Sequence, residues 1–392
     1  MKHCGLYVHI PFCERKCGYC DFYSVPVGQR ATGPLVDAVK RELTSRTGTL
    51  DHPIATVFVG GGTPTVLPLD QLASLLESLR AVAGDHPVVE FTVEANPATV
   101  DDRKASLMVA AGVNRVSMGA QSFFSKELAV LERLHNPRDI PASVNVLRQH
   151  DITQINIDLI FGIPGQTLET WEESLRRAVN LGPNHLSCYG LTYEPGTRLT
   201  ALRDRGLLWP CDENLETEMY HLAVQTLAAA GFEQYEISNY ARSGSRCRHN
   251  LIYWRNGPYI GVGPSAAGCV GRKRYKNVAD VGEYVRLMRE HGDAVGQSEN
   301  IDDQMLLAEM VMMQLRLVEG LSRPAFRQRL GIDPVERFGG AIARLVEMEL
   351  LTINDTHVAL TAAGRPLADA VMAELVSAPE PRLVPSPTAR PE

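Results

Sequence analysis

The sequence contains no run approaching the ~20 uninterrupted apolar residues that a bilayer-spanning helix requires. It opens on Met1-Lys2-His3-Cys4, which leads directly into a strand-like stretch rather than a signal-peptide core. A cytoplasmic protein is expected, with peripheral membrane contact left open. Positive charge is not in excess either: 39 Lys and Arg against 46 Asp and Glu give a formal net charge of −7, without a dense basic run. Phosphate backbones recruit proteins through basic stripes, so nucleic acid is not an expected partner. The composition of a disordered chain is also missing, since 44% of residues are hydrophobic and 22% charged. At 392 residues, a barrel-sized unit plus a smaller one is the expectation.

Nor does the cysteine pattern suit a disulfide framework, which belongs to short secreted chains. Of eight cysteines, Cys13, Cys17 and Cys20 fall within eight residues, while Cys4, Cys188, Cys211, Cys247 and Cys269 are scattered. Isolated thiols commonly pack as small apolar side chains, and that is the reading for the scattered five. The triad points to metal.

What is present in quantity is alternation. Apolar runs at 6–10, 55–59, 88–93, 113–118, 154–160 and 186–191 read as strands. Stretches 34–46, 69–83, 103–111, 141–150 and 168–181 between them have the three-to-four-residue apolar spacing of helices that cover a sheet. Six βα units predict a parallel sheet, which either a doubly wound sheet or a partial TIM-like barrel satisfies. The unusual residues follow strands 1 to 5, where the βα loops of a barrel share one mouth, and this favours an α/β fold with a partial (β/α)6 barrel. Further on, 213–230 reads as a helix, 234–238 as a strand and 257–271 as a glycine-rich stretch. Helices from Ile301, a hairpin over 350–360 turning at Asn354-Asp355 and a last helix predict a C-terminal winged-helix-like helical domain. The expected division is 1–235 barrel, 236–298 extension, 299–376 winged-helix-like unit and 377–392 a disordered tail, whose last sixteen residues hold five prolines. Glu319, Asp333, Glu336, Glu347 and Glu349 offset the arginines of the third segment, so a DNA-binding role does not follow from its shape.

Cys13, Cys17 and Cys20 form a C-x3-C-x2-C array. Thiolates hold iron-sulfur clusters, and three of them leave one iron of a four-iron cube open. That iron can chelate the amino and carboxylate groups of S-adenosylmethionine (SAM), after which an electron cleaves the sulfonium and releases a 5′-deoxyadenosyl radical. A zinc site would need a fourth ligand, which His9 or His3 could supply, but zinc arrays favour paired C-x2-C elements and a second pair is missing. Three glycines, Gly60-Gly61-Gly62, end the second strand one βα unit later and allow backbone to approach a ligand. Glu94, Gln121 and Asp158 interrupt or end apolar strands, where an unpaired polar group costs a few kcal/mol if buried, so a shared polar pocket is expected. Arg133 alone reads as a solvated helix residue.

The triad, ending a first strand and followed by an aromatic, resembles the radical-SAM superfamily. The blocks from Tyr7 to about Leu375 are similar to the family of oxygen-independent coproporphyrinogen III oxidase (HemN) and its HemW relatives. The resemblance implies a [4Fe-4S] cluster on the triad and SAM contacts from Tyr7, Tyr19, Gly61, Gly62, Thr63, Glu94, Gln121, Arg133 and Asp158. Thr63 stands where the family's loop carries an acidic residue. The oxidase has a further Cys two positions after the third and an arm before its first strand, whereas this chain reads Cys20-Asp21-Phe22 and is expected to reach its first strand within a few residues. His249, Asn250, Tyr253 and Trp254 match the HNxxYW block of the HemW branch, whose members act as haem chaperones. A neutral imidazole suits haem iron and the aromatics suit a porphyrin face, so these four are the expected haem contacts, with Cys247 a competing ligand. The implied role is a carrier passing haem to proteins such as respiratory cytochromes or bacterioferritin, with a homodimer left open. The alternatives are coproporphyrinogen III oxidation, in which two propionates are decarboxylated, and radical-SAM methyl transfer.

Overall fold

The computed structural model describes residues 3–48, 53–83 and 88–378. Its strands, in chain order, are β1 (Cys4–Ile10), β2 (Phe12–Cys13), β3 (Val25–Pro26), β4 (Ile54–Gly61), β5 (Glu90–Ala95), β6 (Arg115–Gln121), β7 (Gln154–Phe161), β8 (His185–Gly190), β9 (Glu233–Gln234), β10 (Asn239–Ala241), β11 (Tyr259–Val262), β12 (Ala267–Val270), β13 (Lys273–Asn277) and β14 (Val295–Asn300). Among the described residues twelve of these form one sheet, in the order β14-β13-β12-β11-β1-β4-β5-β6-β7-β8-β10-β9. The run β1, β4, β5, β6, β7, β8 is parallel throughout, as the six βα units predict, and the sheet ends at β14 and β9 rather than closing on itself.

Side chains alternate along each parallel strand because the backbone has a period of two. Leu6, Val8 and Ile10, Val57 and Val59, Phe91 and Val93, Val116 and Met118, and Ile155, Ile157 and Leu159 are all buried in one apolar core. Helices Thr32–Thr47, Leu69–Ala83, Asp102–Ala110, Asp139–Gln149 and Leu168–Asn180 alternate with the strands. The opposite series carries the polar side chains Tyr7, Thr92, Glu94, Ser117 and Asp158. One short helix, Ser125–Val130, was not evident in the periodicity.

The segment after residue 235 is divided between both sheet edges. The strand expected over 234–238 is displaced: β9 ends at Gln234 and β10 begins at Asn239. Glu236 is the reason, because its Oε1 accepts from the backbone N–H of Ser238 at 3.1 Å and from the Asn239 amide, bending the chain between two antiparallel strands. On the other edge β11 runs parallel to β1 and starts the β12-β13-β14 meander. Buried Glu42 ties this edge to helix Thr32–Thr47, accepting from Gly263 N–H at 2.9 Å, Tyr284 Oη at 2.6 Å and Asn277 Nδ2 at 2.8 Å.

The chain divides into two compact units, and the second comprises residues 254–256 and 301–378 of the described chain. It contains helices Asp303–Gln314, Arg323–Leu330, Pro334–Glu347 and Ala368–Val376, with β15 (Leu321–Ser322), β16 (Leu351–Ile353) and β17 (His357–Leu360) in the order β15-β17-β16. Asn354 makes the predicted hairpin turn, its Oδ1 accepting from Thr356 N–H at 2.9 Å and His357 N–H at 2.8 Å. Apart from Ser377 and Ala378, the expected tail over 377–392 lies outside the described residues.

Candidate cofactor site at the barrel mouth

The cysteine loop leaves the C-terminal end of β1. Cys13 closes β2, which pairs with β3, and the loop continues through Cys17 and Cys20. Gly18 anchors it in two directions: its N–H donates to Leu131 O at 3.3 Å, and its carbonyl accepts from Leu199 N–H at 2.8 Å. Beside it Glu132 pairs with Arg15 at 3.4 Å and with Arg198 at 3.1 Å. Arg133 is not the solvated helix residue its sequence context suggests. Helix Ser125–Val130 has already ended, Glu132 turns the chain at φ 58°, and the Arg133 guanidinium points inward. Its Nη1 donates to Cys17 Sγ at 3.4 Å and its Nη2 to Gly119 O at 2.6 Å, while its Nε is buried with no protein partner.

The glycine loop at the end of β4 passes directly alongside. Gly61 has φ 99°, and a Cβ there would lie 2.4 Å from the His9 ring; at Gly62 a Cβ would lie 2.5 Å from Phe12 O. Both positions therefore require glycine. Thr63 Oγ1 donates to Cys13 Sγ at 3.7 Å. Glu94 on β5 accepts the Gly61 N–H at 3.1 Å. Burial, and then the nearby Asp158, push its carboxyl up to about 8. Asp158 on β7 is also raised by burial, although Ser117 Oγ at 3.2 Å and Asn156 Nδ2 at 2.7 Å donate to it. Gln121 ends β6 after a register shift, at φ 64°, a left-handed conformation that costs a non-glycine residue about 1–2 kcal/mol. Such strain is characteristic of functional positions.

Tyr7 and His9 share one orientation. His9 Nε2 lies 2.9 Å from Tyr23 O, and only an N–H can satisfy a carbonyl, so Nδ1 is left as an acceptor. Tyr7 Oη, 2.9 Å from that Nδ1, therefore donates to it and keeps its lone pairs for another group. Burial raises the phenols of Tyr7 and Tyr19, with Glu94 adding to the first and Cys17, Cys20 and Asp158 to the second, which places these groups within one electrostatic neighbourhood. Burial likewise pushes the Cys20 thiol up to about 11 and raises that of Cys13.

The donor set fits an iron-sulfur cluster beside a polar ligand. Three neighbouring thiols, N–H and O–H donors aimed at two of the sulfurs and an orphaned guanidinium nitrogen suit thiolates that carry charge. Among the described residues no three His, Cys, Asp or Glu side chains converge on a single ion, so the fit rests on this donor chemistry rather than on a closed tetrahedron.

Comparison with known proteins agrees with this reading. Residues 7–178 match the radical SAM superfamily and 301–367 the HemN C-terminal domain. The heme chaperone HemW of Bacillus subtilis is 34% identical over 93% of this chain and 97% of its own length. The heme chaperone HemW of Mycobacterium tuberculosis is 37% identical over 95% and 94%. The chain belongs to the HemW family. The solved structure of coproporphyrinogen III oxidase (HemN) from Escherichia coli matches with TM-score 0.83 at 23% identity, covering 96% of this chain and 90% of that one, and shows the shared fold.

The residues expected to contact haem lie at the other end of the barrel. Helix Arg248–Trp254 begins beneath the N-terminal ends of the parallel strands, and Glu90, the first residue of β5, caps it. Glu90 Oε2 accepts from Arg248 N–H at 2.8 Å, and Oε1 accepts from His249 N–H at 2.9 Å and from Cys247 Sγ at 3.4 Å. Four residues of strand separate Glu90 from Glu94, about 13 Å at 3.3 Å per residue. His249 is 1% exposed, with Nδ1 2.8 Å from Thr56 Oγ1 and Nε2 2.8 Å from Tyr253 Oη. Its ring lies 5.3 Å from Phe58. Burial holds its pKa down to about 3 and pushes the Cys247 thiol up to about 12.

Both ring nitrogens of His249 and the Cys247 thiol are engaged inside the protein, so either would exchange a partner to serve as the haem-iron ligand expected of it. Tyr253 stands edge-on between His249 and Tyr259, with ring centroids 5.0 and 4.6 Å away. Trp254 is grouped with the second unit, where Arg316 lies 5.1 Å over its ring. Asn250 is half-buried. His249 and Tyr253 of this helix are thus packed against the N-terminal ends of β4 and β5. Sequence reasoning did not reach Thr56 and Glu90, whose only signal was polarity at the start of apolar strands.

Proposed function

We propose that this HemW-family chain is a haem-binding chaperone built on a radical-SAM scaffold. Its cargo is haem, passed to haem-requiring proteins such as respiratory cytochromes or bacterioferritin. Cys13, Cys17 and Cys20 hold a [4Fe-4S] cluster, and Tyr7, Tyr19, Gly61, Gly62, Thr63, Glu94, Gln121, Arg133 and Asp158 surround SAM. The observation that carries the reading is the near full-length identity to heme chaperones HemW, together with the thiols and carboxylates gathered at one mouth.

When bound, the cluster supplies an open iron for the amino and carboxylate groups of SAM and a source of single electrons. Glu94 and Asp158 offer carboxylates to a cationic ligand, and the ammonium and sulfonium of SAM are both cationic. The Gly61-Gly62 backbone admits the ligand closely, Tyr7 presents its lone pairs, and Arg133 balances thiolate charge at Cys17. No helix among the described residues is long and apolar enough to cross a membrane.

Oxidation of coproporphyrinogen III shares this fold, but Cys20-Asp21-Phe22 departs from the oxidase motif. Haemin titration and an anaerobic porphyrin assay with SAM and reductant on one reconstituted preparation test the proposal. A saturable Soret change with unaltered coproporphyrinogen is expected; formation of protoporphyrinogen IX would overturn it in favour of the oxidase. Release of 5′-deoxyadenosine without haem binding or porphyrin change would point instead to methyl transfer.

A further inference from the structure

Asp158 is held by a row of buried side chains that reaches deeper into the barrel than the cofactor site. Asn156 and Asp158 stand two apart on β7 and so share its inner face. Strand pairing sets Ser117 and His185 on either side of Asn156, and Ser187 beside Asp158. Asn156, His185 and Ser187 are all buried. Asn156 Nδ2 has Asp158 Oδ1 at 2.7 Å, Ser117 Oγ at 2.8 Å and Ser187 Oγ at 3.0 Å. A carboxylate only accepts and an amide nitrogen carries two hydrogens, so these go to the two shorter contacts. Ser187 is left to donate, to Asn156 Oδ1 at 3.2 Å. Ser117 Oγ, accepting from the amide, passes its own hydrogen to Asp158 Oδ2 at 3.2 Å. Each carboxylate oxygen is thus fixed by one donor and keeps a lone pair for a ligand.

The direction of this amide is set from behind. Asn156 Oδ1 lies 2.6 Å from His185 Nδ1, and the other ring nitrogen, Nε2, lies 2.9 Å from Tyr235 Oη. Burial, reinforced by the Arg115 charge, keeps His185 well below the usual imidazole range, so the ring carries a single hydrogen. Tyr235 Oη accepts the Cys247 N–H at 3.4 Å and has its own hydrogen for Nε2. That leaves Nδ1–H for the Asn156 carbonyl. The hydrogen bonds therefore run one way, from Cys247 through Tyr235, His185 and Asn156 to Asp158. A reversed amide would turn its oxygen toward the carboxylate and its NH2 toward the imidazole N–H. Burial raises the Asp158 carboxyl, while Ser187, Asn156 and Ser117, and then Arg115, oppose that rise. We propose that Asn156 and His185 are positioning residues for SAM: His185 fixes the Asn156 amide, and the amide presents Asp158 to the cationic ligand. The inference rests on the SAM site proposed above.

The test is equilibrium binding of SAM to the anaerobic, cluster-loaded full chain, with iron content and thermal unfolding recorded for every variant. An Asn side chain places its amide near the Nδ1 of the imidazole it replaces, and a Gln places its amide near Nε2. His185→Asn keeps the donor to Asn156 and should bind SAM within about twofold of wild type, whereas His185→Gln keeps only the Tyr235 contact and should bind about three- to tenfold more weakly. Asn156→Leu, similar in shape but without donors, should lose about tenfold or more. Leu175→Ala, on the buried face of helix Leu168–Asn180, should lower the melting temperature and leave SAM affinity unchanged. The inference fails, and the SAM site stands, if the two His185 variants bind alike, if affinity merely follows melting temperature across the set, or if Asn156→Leu matches wild type while Asp158→Asn does not. Wild-type affinity in Asp158→Asn, or no SAM binding by wild type, would overturn the site itself and the inference with it.

Discussion

Thr56 Oγ1 and His249 Nδ1 meet at 2.8 Å inside the barrel floor, and Tyr253 Oη occupies the other ring nitrogen at the same distance. A neutral imidazole thus joins β4 to helix Arg248–Trp254. His249→Ala would leave two buried hydroxyls without their partner and a ring-sized void, a loss of about 2–4 kcal/mol. The urea midpoint should fall with little change in m, and any haem-binding defect should track that loss. His249→Gln, which can both donate and accept, should recover part of it.

The same residue sets an acid limit. Its folded pKa of about 3 lies below the ordinary 6.5, so the folded state binds fewer protons than the unfolded chain. This contribution to stability is complete above pH 6.5 and is lost as pH falls toward 3. Unfolding free energies measured across that range should decline more steeply for wild type than for His249→Gln.

Glu94 works in the opposite direction. A carboxyl raised from 4.5 to about 8 holds its proton more tightly in the fold, so its contribution is complete below pH 4.5 and disappears as pH rises through 8. Glu94→Gln should flatten that part of the stability profile. Placing the ammonium of SAM beside Glu94 favours the carboxylate, so binding near pH 7 should release up to about one proton. Calorimetry in buffers of different ionisation enthalpy measures this, and Glu94→Gln should abolish it while weakening SAM.

The barrel was legible because its strands and helices differ in period, and because Cys13, Cys17 and Cys20 sit at a spacing that few other sites use. Gln121, Glu94 and Asp158 were legible as polar interruptions of apolar strands. Arg133 was not, since its direction depends on the turn at Glu132, which no periodicity reports. The partners of His249 were hidden for a related reason: an imidazole beside Tyr253 and Trp254 gives no sign in sequence that Thr56 lies against one of its nitrogens. That pairing depends on the register of β4 and β5 against the helix.

Glu42 holds the sheet edge that the sequence left as a loose extension. Its carboxylate is 1% exposed and accepts from Gly263, Asn277, Tyr284 and, at 2.6 Å, Arg46 Nε. Glu42→Ala leaves these donors buried, so a loss of about 3–5 kcal/mol is expected. Glu42→Gln keeps the shape but not the charge facing Arg46 and should cost less. Amide hydrogen exchange should show the loss first in β11 to β14, with protection of β5 to β7 changed only by the global decrease.

Arg133 spans two parts of the candidate site, one guanidinium nitrogen on Cys17 Sγ and another on the Gly119 carbonyl. Arg133→Met removes the positive charge beside a thiolate and leaves Gly119 O unpaired, whereas Arg133→Lys keeps the charge but loses the fork that reaches both atoms. Arg133→Met should retain less iron and sulfide after anaerobic gel filtration and bind SAM at least about tenfold more weakly. Arg133→Lys should recover iron content more fully than SAM affinity, because charge alone serves the sulfur while the fork also fixes β6 against the ligand. Equal recovery of both would mean that Arg133 acts through charge alone, and wild-type values in Arg133→Met would remove it from the site.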